Sequence, residues 1–306
     1  MKVLITGISG YLGSLLAARL AADNRVESIT GTDLREISLK DPKIRFVKSD
    51  IRDPSLADLL KDCDAAVHLA FIVGEIKDKA LTYDININGT KNFFESCKKA
   101  GVKKIVYASS VAAYGSHPGK KLLTEDLRPA GNAESYYSDT KRLVEEMADR
   151  FVSENPGVMF TRMRPSLLCG KNTVDFFREV MNGPMIVYVK DNDEGLPIVY
   201  EQDVATAFFT AVVEDHPGIF NIHAGNLSPQ KISEMTGKRA IGLSYTAARI
   251  LIAIGYFTGL IKFSKHWVEL GRYAFNISTE KARRELGWKP TRLPEEAFQE
   301  MIDASK

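Results

Sequence analysis

The sequence predicts an α/β protein: a doubly wound parallel sheet with a smaller C-terminal lobe interleaved with it. Three observations predict this. The chain opens on a short apolar strand, a glycine-rich turn and a helix within residues 1–20. Strand and helix signals then alternate as far as residue 170, the pattern of parallel strands joined by crossover helices. Beyond Gly170 short strands and helices mix, yet residues 201–224 again read helix then strand and so rejoin the first domain. The expected division is 1–170 with 201–224 on one side, and 171–200 with 225–306 as the second lobe.

Taken in order, residues 3–5 are a buried strand, and residues 6–13 (TGISGYLG) turn the chain into a helix. Gly7 permits a tight turn, Gly10 lets backbone approach a pyrophosphate, and Gly13 lets the helix pack closely on the strand. The free N–H groups and positive dipole end of that helix favour a bound anion. Residues 26–33 are the second strand, ending on Asp33 twenty residues past Gly13, where an acidic group would hold an adenosine ribose. This is a Rossmann-like dinucleotide site. A carboxylate at Asp33 repels a 2′-phosphate, so the expected cofactor is NAD; Arg35, two residues on, keeps NADP as the alternative.

The third strand is 44–47, and Asp53-Pro54 starts a helix containing Leu56, Leu59 and Leu60. Residues 65–70 are the fourth strand, 79–100 a helix closed by Gly101, and 103–108 a fifth strand running into Ser109-Ser110. A helix over 133–154 and a sixth strand over 158–163 follow, ending at Arg164-Pro165. In the second half, 174–181 reads as a helix, 185–189 and 196–200 as strands, 202–214 as a helix and 219–223 as a strand. From Ser228 onward the chain reads as mostly helical.

Composition narrows the function classes. Of 306 residues, 44% are hydrophobic and 26% charged, as in an ordinary globular protein, and a net charge of +2 makes no case for nucleic acid. Cys63, Cys97 and Cys169 lie far apart with no C-x-x-C, so reduced thiols are expected. The five histidines have no ligand spacing, so no metal is expected. Met1 runs straight into the first strand; no signal peptide and a cytoplasmic location are expected. The apolar run 250–261, between Arg249 and Lys262, is too short for a membrane span, which needs ~20 residues. A membrane partner is therefore not expected, and a buried or lid helix is the plain reading of the run. An interfacial anchor or the wall of an apolar pocket are the sharper readings.

The chemistry centres on Tyr137-Ser138-Asp139-Thr140-Lys141. Positions i and i+4 share one helix face, so Lys141 lies a turn from Tyr137. A tyrosine, with a pKa near ~10, is a poor base at neutral pH, and a nearby ammonium favours its phenolate. Tyr136 would pair with Thr140 instead and is expected to pack or line the pocket. Ser110 ends the fifth strand on the edge where open α/β sheets bind ligands, and its hydroxyl can donate to the substrate oxygen. Ser109 competes for that role.

The ordered segments TGISGYLG (6–13), Asp33, Asp50-Ile51, HLA (68–70), NINGT (86–90), YASSVAAYG (107–115), YSDTK (137–141), RPSLLCG (164–170), DVATAF (203–208), FNIHAG (220–225) and TEKARRELGWKP (279–290) resemble the extended short-chain dehydrogenases/reductases. That group includes the NAD-dependent sugar epimerases and dehydratases. The resemblance implies that backbone from Ile8 through Tyr11 and Leu12 wraps the pyrophosphate, with Gly7, Gly10 and Gly13 shaping the turn. It implies that Asp33 binds the ribose, that Asp50 and Ile51 flank the adenine, and that Leu69 and Ala70 line the channel. It further implies that Asn86 steadies the helix over the site, that Pro165 to Leu167 lie near the nicotinamide, and that Lys141 also holds the nicotinamide ribose. Packing is the plain alternative for Leu69, Ala70 and Asn86. Ser110, Tyr137 and Lys141 are the implied catalytic residues.

Acidic residues usually accompany the catalytic Ser or Thr in the family's dehydratases and decarboxylases; here Val111-Ala112-Ala113 follow Ser110, which lowers those readings. The segment after Pro165 lacks the asparagine many sugar enzymes place there, leaving Ser166, Lys171 and Asn172, with Arg178 and Lys190 further on. The expectation is hydride transfer between nicotinamide and a secondary alcohol or ketone, a small-molecule substrate. A nucleotide-sugar epimerase is the alternative, and a non-catalytic cofactor sensor or scaffold is the second alternative. Dimerisation through helices 79–100 and 133–154 is what the resemblance implies for assembly.

Overall fold

The structure is a computed structural model that describes residues 1–74, 78–115, 122–173, 183–190, 192, 194–259, 268–269, 271–272 and 275–305. The helix expected over 174–181, Arg178, and the last two residues of the 250–261 run lie outside the described residues.

Strands β1 (Lys2–Thr6), β2 (Ser28–Asp33), β3 (Ile44–Lys48), β4 (Ala65–His68), β5 (Lys104–Ala108) and β6 (Met159–Pro165) alternate with helices. With β10 (Gly218–Ile222) they form one seven-stranded sheet in the order β10-β6-β5-β4-β1-β2-β3. Every neighbouring pair in it is parallel. Alternation along β1 shows how both faces are covered. Val3 and Ile5 join Leu16, Leu20 and Phe208 from α1 (Tyr11–Ala21) and α6 (Glu201–Val213). Leu4 joins Phe93, Phe94 and Phe151 from α4 (Gly89–Ala100) and α5 (Tyr136–Glu154) on the other face. A central strand sealed on both faces reads as an unbroken apolar run, which is why these strands stand out in the sequence.

Short elements fill in the sheet. Helix α2 (Leu56–Leu59) follows Asp53-Pro54, and α3 (Lys79–Tyr83) leads through a π-helical turn at Asp84–Asn88 into α4. The single helix expected over 79–100 is thus three pieces, because Asn86 in the π turn hydrogen-bonds the loop after β4. Gly101, at φ 75°, ends α4. Helix α5 starts at Tyr136 rather than 133, since the preceding residues 132–135 form a turn closed by Ser135 N–H to Asn132 O.

The second lobe holds β7 (Leu167–Cys169), β9 (Leu196–Tyr200) and β11 (Gly225–Leu227) in one small sheet. Strands β8 (Ile186–Val189) and β12 (Ala240–Leu243) form another. Strand β12 lay in a stretch read as helical; its four half-buried residues show no strand alternation and depend on a partner far away in sequence. Helices α7 (Pro229–Thr236), α8 (Tyr245–Phe257), α9 (Glu280–Glu285) and α10 (Pro294–Asp303) complete the fold. Helix α10 packs Phe298 and Met301 on Cys169, Ile198 and Leu227. Residues 250–257 of the apolar run lie on α8, but α8 buries only Ala248 and Gly255, so it is not a core helix. All three cysteines are free. Among the described residues no cluster of His, Cys, Asp and Glu could hold a metal, and no helix is long and apolar enough to cross a membrane.

Candidate active site and cofactor cleft

A cavity of about 380 Å³ opens along the carboxyl ends of the sheet strands. Gly7, Gly10, Asp33, Asp50, Ile51, Leu69 and Ala70 all line it. A shallower depression of about 510 Å³ lies near β3, lined by Ile37, Leu39 and Phe46, and contains none of the expected site residues.

The glycine turn is tight for steric reasons. Gly7 sits at φ 74°, and a Cβ on it would lie 2.6 Å from the Ala70 nitrogen. A Cβ on Gly13 would lie 2.2 Å from the Gly7 carbonyl, so this glycine sets how closely α1 approaches β1. Gly10 caps α1 with no side-chain hydrogen bond, leaving the first-turn amides of Tyr11, Leu12 and Gly13 without side-chain acceptors. That uncapped, glycine-flanked helix start fits a pyrophosphate. The side chains there turn elsewhere. Leu12 packs on the core, and the Tyr11 phenol donates to the Glu201 carboxylate. Burial and that hydrogen bond push the Tyr11 phenol far above its ordinary pKa.

Asp33 is oriented by backbone: its carboxylate accepts from Ser9 N at 3.2 Å, Leu34 N at 2.7 Å and Arg35 N at 3.1 Å. Asp50 is bound by Arg52 at 2.6 Å, which lowers its carboxyl pKa, and Arg52 also reaches Asp84 at 2.7 Å. Pro165 is buried at the end of β6, beside β5, and lies outside the cavity lining.

At the end of β5 the three candidate catalytic residues converge. Ser110 is buried beside the Tyr137 phenol, and its Oγ accepts from Ala112 N at 3.1 Å. Burial raises the Tyr137 pKa, and the neighbouring Ser110 hydroxyl opposes the rise. Lys141 is buried with Nζ donating to Ala108 O at 2.7 Å and lying 5.9 Å from the Tyr137 ring centroid. Burial lowers its amine pKa to about 7, against the pull of Glu145. The expected assistance of Tyr137 by a full ammonium is therefore weakened here, because desolvation disfavours the charge on Lys141 itself.

The two adjacent alternatives are separated. Ser109 Oγ donates to Glu145 Oε1 at 2.5 Å, away from Tyr137, and the Tyr136 hydroxyl donates to Lys79 O at 3.4 Å. Two further groups, Phe71 and Glu145, escaped the sequence reading. Phe71 lines the cavity, packs edge-on to Tyr137 and covers Lys141 Nζ at 3.5 Å from its centroid, linking the cofactor cleft to the trio. Its position directly after HLA was the available signal. Glu145, one turn beyond Lys141, is buried and joined to Arg162 at 2.7 Å and Arg164 at 2.8 Å. Burial alone would raise the Glu145 carboxyl, but Arg164, Arg162 and Ser109 bring it down to about 2. Asn86 accepts from Ile72 N at 2.8 Å and donates to Ile72 O at 3.0 Å, holding the loop that carries Phe71.

Known proteins share these features. The model of the family described as "NAD dependent epimerase/dehydratase family" matches residues 3–222. A UDP-glucose 4-epimerase of Lactobacillus helveticus is 32% identical over 54% of this chain and 51% of its own. A human sterol-4-alpha-carboxylate 3-dehydrogenase, decarboxylating, is 30% identical over 54% of this chain and 44% of its own. The solved structure of MoeE5 in complex with UDP-glucose and NAD superposes with a TM-score of 0.77 at 21% identity, over 100% of this chain and 98% of that one. The glycine turn, Asp33 at the cleft and the match over the parallel sheet thus lead to one conclusion: the chain belongs to the NAD-dependent epimerase/dehydratase family of extended short-chain dehydrogenases/reductases and is an enzyme whose cofactor is NAD.

Proposed function

We propose that the enzyme transfers hydride between NAD and a secondary alcohol or ketone, with net oxidation or reduction of the substrate. The observation that carries the reading is the clustering of Ser110, Tyr137 and Lys141 at the carboxyl end of β5, with Lys141 Nζ 5.9 Å from the Tyr137 ring and Phe71 packed against both. Bound NAD supplies the hydride acceptor at its nicotinamide ring. Tyr137, as phenolate, takes the proton of the substrate hydroxyl; Ser110 orients the substrate oxygen; Lys141 binds the nicotinamide ribose. The protein's main contribution is orientation. Gly7, Gly10, Gly13, Asp33, Asp50, Ile51, Leu69 and Ala70 hold the rest of the cofactor, with the amides of Tyr11 and Leu12 on the pyrophosphate and Pro165 near the ring.

The residues after Ser110 support simple redox over elimination, since Val111, Ala112 and Ala113 are buried and non-ionisable. The human relative's printed activity, a 3-dehydrogenase, agrees with alcohol oxidation. A second reading, nucleotide-sugar epimerisation, is favoured by the epimerase relative and by the UDP-glucose bound in MoeE5. A homodimer paired through α4 and α5, which pack side by side on one face of the sheet, and a cytoplasmic location complete the proposal.

The test is NADH formation by the purified enzyme across a panel of secondary alcohols, run beside Tyr137→Phe. The expected result is turnover that falls ~10²–10⁴-fold in the variant while NAD affinity is unchanged. Interconversion of UDP-glucose and UDP-galactose without net NADH from any alcohol would establish the epimerase reading instead.

A further inference from the structure

The first turn of α6 carries two buried carboxylates, Glu201 and Asp203, and each is tied to a different segment. Asp203 accepts from Thr291 N at 2.8 Å and Thr291 Oγ1 at 2.6 Å, near the end of the chain. Glu201 accepts from three donors, and none of them is cationic. Asn172 gives its backbone N–H to Oε2 at 3.0 Å and its Nδ2 to Oε1 at 2.6 Å, and the Tyr11 phenol donates to Oε2. A buried carboxylate held only by neutral donors depends on every one of them, because each lost bond leaves an oxygen that water does not reach.

These three bonds join the cofactor turn to the second lobe. Tyr11 is the first residue of α1, directly after the glycine turn, where the helix start has no side-chain cap. Asn172 lies in the loop after β7, where the chain leaves the small sheet of the second lobe. That loop is shaped to meet Glu201. A Cβ on Gly170 would lie 2.6 Å from the Glu201 carboxyl carbon, so glycine leaves the carboxylate its space. Thr173 closes the loop on itself, its Oγ1 accepting from Gly170 N at 2.9 Å and donating to Gly170 O at 2.7 Å. The sequence offers Ser166, Lys171 and Asn172 as polar groups for a substrate, but the Asn172 amide is used on Glu201 instead. Helices α1 and α6, which carry the other two members, share one core through Leu16, Leu20 and Phe208.

We propose that Glu201 and Tyr11 are positioning residues: together they clamp the loop 170–173 of the second lobe to the turn that receives the NAD pyrophosphate, so that bound NAD seats that loop. The phosphates fix the backbone amides of Tyr11, Leu12 and Gly13. Fixing that backbone fixes the Tyr11 ring, and with it the phenol–carboxylate bond and both bonds from Asn172. The coupling is reciprocal, so whatever seats the loop also tightens NAD. It rests on the cofactor placement proposed above and holds for either reaction.

Amide hydrogen exchange of the full chain, read residue by residue by NMR with and without saturating NAD, tests it. Asn172 and Thr291 are a matched pair: both N–H groups donate from a loop to a carboxylate on the same helical turn, and only Glu201 reaches Tyr11. The expected result is exchange at Asn172 slowed on the order of 10-fold by NAD, with Thr291 slowed less than ~2-fold, and the difference lost in Tyr11→Phe. A general tightening of the fold by NAD slows both alike and overturns the proposal. So does an excess at Asn172 that survives in Tyr11→Phe. The comparison within the parent chain needs no variant, so it decides even where Tyr11→Phe melts early. If NAD leaves the amides of residues 11–13 unchanged, the cofactor placement falls and this inference with it. Slowing at 11–13 without an excess at Asn172 overturns this inference alone.

Discussion

His68 lies beneath the cleft with Thr6 Oγ1 at 2.8 Å from Nδ1 and Thr90 Oγ1 at 2.9 Å from Nε2, and it stacks on Phe93. Burial, and secondarily the Lys141 charge, lower its pKa from 6.5 to about 3. In the unfolded chain the imidazole takes a proton near pH 6.5, whereas in the folded chain it stays neutral to about pH 3. Between those values the unfolded state binds the extra proton, so stability rises with pH through the window and is lost as pH falls. One pH unit is worth about 1.4 kcal/mol, which makes the loss at pH 5 about 2 kcal/mol for His68. His223, lowered to about 4 by burial, adds a similar loss. Urea unfolding at pH 7.5 and pH 5 should show His68→Gln losing about 2 kcal/mol less than the parent over this range. An equal loss in both chains would mean that His68 is solvated.

At the scale of the element, the β1–turn–α1 unit is held by close backbone contact. A methyl group at position 13 meets backbone, the Gly7 carbonyl at 2.2 Å and Ile8 Cα at 2.8 Å, and neither can swing aside like a flexible side chain. Gly13→Ala should therefore push α1 off β1, costing about 1–3 kcal/mol and abolishing measurable NAD binding by calorimetry. Gly74→Ala is the control: a Cβ there meets nothing within 4 Å, and both stability and NAD affinity should stay at the parent values. The loop after β4 depends on Asn86, whose amide satisfies both backbone groups of Ile72. The π-helical turn points Asn86 at that loop, and this is why a continuous α-helical pattern over 79–100 was interrupted in the fold.

Over the whole molecule, the cleft runs from Asp50, just beyond β3, across the sheet to Phe71 after β4, and reaches the chemical groups through Phe71. Only the folded sheet brings these strand ends together, so NAD binds the native state and stabilises it by mass action. NAD at a hundred times its Kd should stabilise the protein by about 2.7 kcal/mol, read as a rise in melting temperature. On the ribose role proposed for Asp33, NADP at the same concentration should raise it less, because a carboxylate there repels a 2′-phosphate. A larger rise with NADP would mean that Arg35 outweighs Asp33.

The sequence by itself determined the alternating sheet, the glycine turn and the residues that converge at the end of β5. Those features rest on local periodicity and on spacing along one helix or one turn: Val3 to Ile5 as a buried run, Tyr137 and Lys141 four apart, Gly7 and Gly13 around a helix start. Tertiary structure decided what depends on partners distant in sequence. It separated Ser110 from Ser109 through Glu145, 36 residues away. It placed Phe71 over Lys141 and paired β12 with β8. It placed the described part of the apolar run, residues 250–257, on an exposed helix rather than a core one, because hydrophobicity along a chain says that a face must be covered and only packing says by what. The same reason governs Lys141, whose residue type promised a fixed charge and whose burial lowers its pKa to about 7.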